Sequence, residues 1–229
     1  MSFLRNIASL AVRGGVDDAD CSDCPTLLPG QDPAFSTAVT ALGAKLSKAD
    51  GRSQPIEFKT FSDFFQSDPG SERGVERLYD LARQTTLGYE GYAKRLAKRY
   101  RRCPQILEDV LDGLFHIASA DGAVTADELE YLEQVGDLFG LSSLTFRRLK
   151  ATHLGAEADD PYVVLGIAPD ASDAQVHDAW KRLLSDAHPD RAAARGLPAE
   201  FIEVAEAKSA AINAAYHSVM RERKELAPV

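Results

Sequence analysis

The chain has 229 residues, enough for one large or two small domains with a real core, which excludes a mini-protein held together by crosslinks. Its 26 Lys+Arg against 35 Asp+Glu give a net charge of −9, so the chain as a whole repels nucleic acid and anionic lipid, and no nucleic-acid partner is expected. A hydrophobic fraction of 45% excludes a disordered chain, and three cysteines exclude a disulfide framework and fit a reducing compartment.

Residues 1–32 read as an N-terminal segment and linker. Phe3, Leu4, Ile7, Leu10 and Ala11 share one helical face, with Arg5 and Arg13 outside it. The apolar run between the arginines is too short and too polar for a signal peptide, and no stretch of about 18 apolar residues is present to span a membrane. A cytoplasmic location follows, either with this segment as a short docking helix or with peripheral attachment to the inner membrane through it. Gly14 to Pro33 lacks apolar periodicity and is rich in Gly, Asp, Ser and Pro. Cys21 and Cys24 stand there with Cys-x-x-Cys spacing, but one pair falls short of four zinc ligands and no strand-to-helix junction surrounds it.

From residue 33 to 154 the apolar spacing is helical in successive blocks. Phe35, Val39, Leu42 and Leu46 are followed by Phe58, Phe61, Phe64 and Phe65, and by Val75, Leu78, Tyr79 and Ala82. Leu107, Val110, Leu111, Leu114 and Phe115 form a further block, and Leu129, Leu132, Val135, Leu138 and Phe139 the last. β-branched alternation is nearly absent, so the fold class is all-α. An internal repeat runs through this unit: Asp50, Gly51 and Glu57 recur as Asp121, Gly122 and Glu128, 71 residues later, and Phe35, Val39 and Leu46 meet Ile106, Val110 and Ile117 at the same offset. Two helix-turn-helix hairpins of one design are expected to pack into a bundle.

The Asp-Gly-x5-Glu spacing matches the second half of an EF-hand loop, but Leu46, Lys48, Ile117 and Ser119 stand where the first half needs oxygen ligands. Helix caps explain the pattern: Gly takes the left-handed position that ends one helix, and Thr125 with Glu128 forms a capping box for the next. The alternative is a divalent cation held by Asp50, Glu57, Asp121 and Glu128. The unit resembles the TerB family, an all-helical bundle with an Ala-Asp-Gly turn followed by an acidic residue in each half. That resemblance implies a helical module without established enzymatic chemistry.

Within the same unit Lys94, Arg95, Lys98, Arg99, Arg101 and Arg102 form a dense basic run interleaved with Tyr92, Leu96 and Tyr100. It reads as a solvated helix face or as a site for an acidic partner or lipid head groups.

Residues 155–160 read as a polar hinge, and residues 161–229 as a second helical unit. Asp160 and Pro161 cap and start a short helix ended by Gly166, and Ser172 with Gln175 makes a capping box. The helix that follows carries Val176, Ala179, Trp180, Leu183, Leu184 and Ala187 on one face and is stopped by Pro189. A loop through Gly196 and Pro198 leads to a third helix with Phe201, Val204, Ala205, Ile212, Ala215, Tyr216 and Val219, of which Phe201 and Tyr216 are expected in the core. Two antiparallel helices are thus expected to present His188-Pro189-Asp190 at their tip.

Tyr162-x-x-Leu165-Gly166-Ile167, Ala179-Trp180-Lys181, His188-Pro189-Asp190 and Ile212-Asn213-x-Ala215-Tyr216 together resemble a J-domain. A TerB-like bundle followed by a J-domain is the order of the DjlA co-chaperone family, and Ala187-His-Pro-Asp-Arg191 with Gly196-Leu-Pro198 is similar to its J-domain. The resemblance implies docking on a DnaK-type chaperone ATPase and stimulation of its ATP hydrolysis, with no chemistry of the chain's own and an unknown client. It implies that Pro189 stiffens the turn, that Asp190 offers a carboxylate to an arginine of the ATPase, and that His188 shapes the loop. Lys181 and Arg182 would meet an acidic patch, or form a solvated face. The chain departs from the family in that Asp178 and Asp186 offset Lys181 and Arg182, and no Gly/Phe-rich segment or zinc region follows. The competing expectation is a metal-binding or stress-response module in which the J-like part is a degenerate adaptor.

Overall fold

The computed structural model describes residues 27–46, 88–121, 124–154 and 160–226. Nine α-helices lie among these residues, with no strand. The bundle unit contributes α1 (Pro33–Leu46), α2 (Tyr89–Arg99), α3 (Pro104–Ala118), α4 (Ala126–Phe139) and α5 (Ser143–Leu154). The second unit contributes α6 (Pro161–Leu165), α7 (Asp173–Asp186), α8 (Pro189–Ala194) and α9 (Glu200–Leu226).

The repeat is visible in what α1 and α3 bury. Phe35, Val39 and Leu46 on α1 and their counterparts Ile106, Val110 and Ile117 on α3 are all within the core. The partner helix of α3 is α4, reached through a single 3₁₀ turn at Ser119–Asp121. Thr125 caps α4 as expected: its hydroxyl accepts from the Glu128 amide at 3.2 Å, and the Glu128 carboxylate accepts from the Thr125 amide at 2.8 Å. Such a box contributes about 1 kcal/mol to its helix. Gly140 ends α4 in the left-handed region, φ 72°. The counterparts on the first hairpin, the blocks from Phe58 to Ala82, lie outside the described residues, as do residues 1–26 with Cys21 and Cys24.

Tyr131 of α4 donates its hydroxyl to the Leu42 carbonyl of α1 at 2.9 Å, joining these two helices through the core. Near the start of α1, the buried Asp32 receives Arg99 and, at 3.2 Å, the Tyr100 hydroxyl, so the end of α2 is pinned to the start of α1. Burial first and the nearby Asp32 charge second push the Tyr100 hydroxyl well above the usual tyrosine range.

The second unit folds as the caps predict. Asp160 accepts from the Tyr162 amide, Gly166 ends α6 at φ 64°, and Ser172 with Gln175 forms the capping box of α7. α7 and α9 are antiparallel: Asp173 pairs with Arg223, Trp180 meets Asn213 and Tyr216, and the Ala187 carbonyl meets Ser209. Val176, Leu183 and Ala187 of α7 bury against Ile212, Ala215 and Val219 of α9, with Trp180 half-buried at their edge.

The first part of α9 behaves differently. Phe201, Val204 and Ala205, with Ala192 and Leu197 ahead of them, join the core of the bundle rather than that of the hairpin. Phe201 packs on Phe35 with ring centroids 6.3 Å apart. The sequence places Phe201 in a core, and the structure identifies that core as the bundle's. Residues 155–159 lie outside the described set, while α5 and α6 on either side pack against each other.

Candidate functional site

His188, Pro189 and Asp190 stand between α7 and α9, as expected, but in a local form that the loop reading did not contain. Ala187 caps α7, and Pro189 opens the short helix α8 instead of merely stopping the one before. Proline at a first helical position loses no hydrogen bond and has its φ already set. His188 is the N-cap: its Nδ1 accepts from the Asp190 amide at 3.2 Å. The Asp190 carboxylate oxygen lies 3.6 Å from the same Nδ1. Asp190 sits in the first turn of α8, where the helix dipole favours a carboxylate.

This arrangement displays the acid. The Asp190 side chain is 91% exposed and that of His188 54% exposed. Arg191 donates to Ser185 Oγ at 3.1 Å, and Ser209 Oγ donates to the Ala187 carbonyl at 3.0 Å, so the turn is tied to both long helices. Lys181 and Arg182 are exposed on α7, off its buried stripe, with no ion pair among the described residues. Asp178 is exposed on the same helix. Trp180 donates Nε1–H to Asn213 Oδ1 at 2.9 Å and stacks on Tyr216 at 4.5 Å, which locks the middle of the hairpin.

Directly behind the turn lies a cluster that sequence reasoning missed. Arg195, which caps the end of α8, donates to Asp109 of α3 at 2.9 Å. Lys208 of α9, almost fully buried, lies 3.0 Å from Glu108 and 3.1 Å from Asp112. Arg148 of α5 reaches the same Glu108 oxygen at 2.6 Å, and His153 Nε2 lies 2.6 Å from Asp112. Burial opposes ionisation of Asp112, yet Lys208 and the His153 hydrogen bond outweigh it and bring the carboxyl down to about 2. For Asp109 burial wins over Arg195 and Lys208, and its carboxyl is pushed up to about 6. Burial lowers Lys208, but Asp112, Glu108 and Asp109 together leave it raised. A backbone contact completes the junction: the Gly30 amide donates to the Gly196 carbonyl at 2.8 Å. Gly196 has φ 71°, and a Cβ there would lie 2.5 Å from Leu28 Cβ, so only glycine fits.

Of the four candidate cation ligands, Glu128 is the one whose side chain lies among the described residues. The Glu128 carboxylate accepts from the Thr125 amide and hydroxyl as a cap. Asp121 ends the 3₁₀ turn, and Asp50, Gly51, Glu57 and Gly122 lie outside the described residues. Among the described residues no group of three or more His, Cys, Asp or Glu side chains is placed to hold a metal.

A helical bundle carrying a capped, solvent-facing His-Pro-Asp turn on an antiparallel hairpin defines a class, and comparison with known proteins agrees with it. The chain belongs to the family described as tellurite resistance protein TerB, matched over residues 36–151, and carries a DnaJ domain over residues 160–224. Among curated relatives it is similar to co-chaperone protein DjlA of Coxiella burnetii, 26% identical over 84% of this chain and 78% of the relative. It is similar to DjlA of Vibrio cholerae at 25% identity, over 87% of this chain and 81% of that one. DjlA of Shewanella oneidensis is 44% identical over 64 residues, 28% of this chain and 24% of the relative. No solved structure matches. Among the described residues no helix is long and apolar enough to cross a membrane.

Proposed function

We propose that the chain is a co-chaperone that docks on a DnaK-type ATPase through the His188-Pro189-Asp190 turn and stimulates its ATP hydrolysis, with no catalysis of its own. The observation that carries this reading is the display of Asp190: a carboxyl group at the first turn of α8, fixed by the His188 cap and open to solvent. Such a group is suited to a charge-assisted, bidentate pair with an arginine of the partner. A turn whose histidine nitrogen is committed to a backbone amide is suited to recognition rather than proton transfer. Lys181 and Arg182, exposed one to two turns before it on α7, would steer encounter with an acidic surface. The bundle would choose the client or the location.

Binding of the full chain to ATP-loaded DnaK, measured by surface plasmon resonance, tests the docking. Binding is expected to vanish in His188→Gln and to slow in association rate in Lys181→Glu/Arg182→Glu. Unchanged binding in His188→Gln would remove the turn from the contact.

A further inference from the structure

The basic run of α2 takes no part in the His-Pro-Asp turn, and the structure gives it a shape. A trough of about 460 Å³ runs between the start of α1 and the second half of α2. Its α1 side is small and open: Pro33, Ala34 and Thr37 are exposed. Its floor is the buried Ala38 and Leu96, and its α2 rim is Tyr92, Arg95 and Arg99. Arg99 is held in place by Asp32, and Arg95 lies over the Tyr92 ring with its guanidinium 4.8 Å from the centroid. Arg95 and Arg99 are one helical turn apart, so their charges face the same edge of the trough. Lys94 and Lys98 line the adjoining stripe of the helix and Arg101 follows just past its end, all exposed and with no ion pair among the described residues. On a chain of net charge −9 this is a concentrated positive site.

We infer that this trough is a docking site for an acidic peptide segment carrying an apolar side chain, whose carboxylates pair with Arg95 and the Lys94–Lys98 stripe while the apolar group fills the trough. The concavity decides between a peptide and a membrane surface. A lipid bilayer is engaged by protruding apolar side chains, whereas the exposed residues on the α1 side are small and enclose a hollow that a partner's side chain fits. The inference deepens the reading of the bundle as the part that selects a client, and rests on it.

The test is fluorescence anisotropy of the full chain with a fluorescein-labelled peptide of Glu residues flanking a Leu-Phe pair, and with its counterpart in which Gln replaces Glu. The Glu peptide should bind saturably and weaken steeply with added salt. Its affinity should fall by about tenfold or more for the Gln peptide, and likewise in Arg95→Glu/Lys98→Glu, which alters only exposed side chains. Ala34→Trp, which fills the trough and leaves the charge unchanged, should weaken it about tenfold with an unaltered thermal melt. Equal binding of both peptides, or no effect of Ala34→Trp, would overturn the inference. So would phosphatidylglycerol vesicles binding more tightly than the peptide with the same loss in Arg95→Glu/Lys98→Glu, since the site would then serve a lipid surface. DnaK is absent from this assay, and Arg95→Glu/Lys98→Glu should stimulate DnaK as the wild type does. Failure of the co-chaperone reading would appear as a flat ATPase for every variant, and failure of the trough as lost peptide selectivity with ATPase stimulation intact.

Discussion

Replacing Lys208 by methionine removes the cation at the centre of the junction between bundle and hairpin while keeping most of the side chain's volume. In the wild type its ammonium is shared by Glu108 at 3.0 Å and Asp112 at 3.1 Å, in a place where none of the three is appreciably solvated. Breaking a buried pair from one side costs about 3–5 kcal/mol, because the remaining charge has neither partner nor water. Glu108 keeps Arg148 and Asp112 keeps His153, so the lower end applies, about 3 kcal/mol. With a urea m-value of about 2 kcal/mol/M, the unfolding midpoint should fall by roughly 1.5 M. Adding Asp112→Asn to Lys208→Met should recover part of that loss, because the double variant no longer buries the carboxylate that was stranded. A loss below about 0.5 kcal/mol, the size measured for exposed pairs, would refute the reasoning. It would mean that Lys208 reaches water and that α9 does not lie on α3 as described.

Other perturbations have equally definite outcomes. Gly196→Ala should destabilise by a few kcal/mol in the same urea assay, since the new Cβ meets Leu28 and the left-handed φ disfavours it. Asp112, held at about 2, contributes stability that is present above about pH 4 and lost as the pH falls towards 2, so acid unfolding should begin at higher pH in Asp112→Asn. Asp109, raised to about 6, acts with the opposite sign. Its contribution is fully present below about pH 4 and declines as the pH rises through 6, so Tm scans from pH 4 to 8 should show a decline that Asp109→Asn flattens. Thr125→Ala should cost about 1 kcal/mol through loss of the α4 cap, and calorimetric titration of the wild type with Ca²⁺ should release no heat.

Much of this architecture is legible in local signals. The capping boxes at Thr125 and Ser172, the glycine at 166 and the paired stripes of α7 and α9 each declare themselves within a few residues, and the helices follow them. The repeat is legible because a buried face recurs at fixed offset, as Phe35, Val39 and Leu46 show against Ile106, Val110 and Ile117. The short helix α8 is not legible in the sequence, because a proline that stops one helix can equally open the next and because histidine is an uncommon N-cap. The buried ion cluster joins residues as much as 100 positions apart, which no local pattern reports. One trace of it exists: Lys208 interrupts the apolar face formed by Val204 and Ile212, one turn away on either side. Asp109 and Asp112 likewise intrude on the apolar face of α3 around Val110 and Leu111. Charges placed on a core-facing stripe call for buried partners, and the partners proved to lie in the other unit.

The display of Asp190 is the centre of the functional account, and single-turnover ATP hydrolysis by DnaK tests it most directly, with the wild-type chain compared with Asp190→Asn. Asparagine keeps the size of the side chain and its place beside the His188 cap, but removes the charge. The account predicts acceleration by the wild type and none by the variant, with unchanged thermal stability of the variant. Equal acceleration by both chains, or none by either with a DnaK from the same cell, would contradict it.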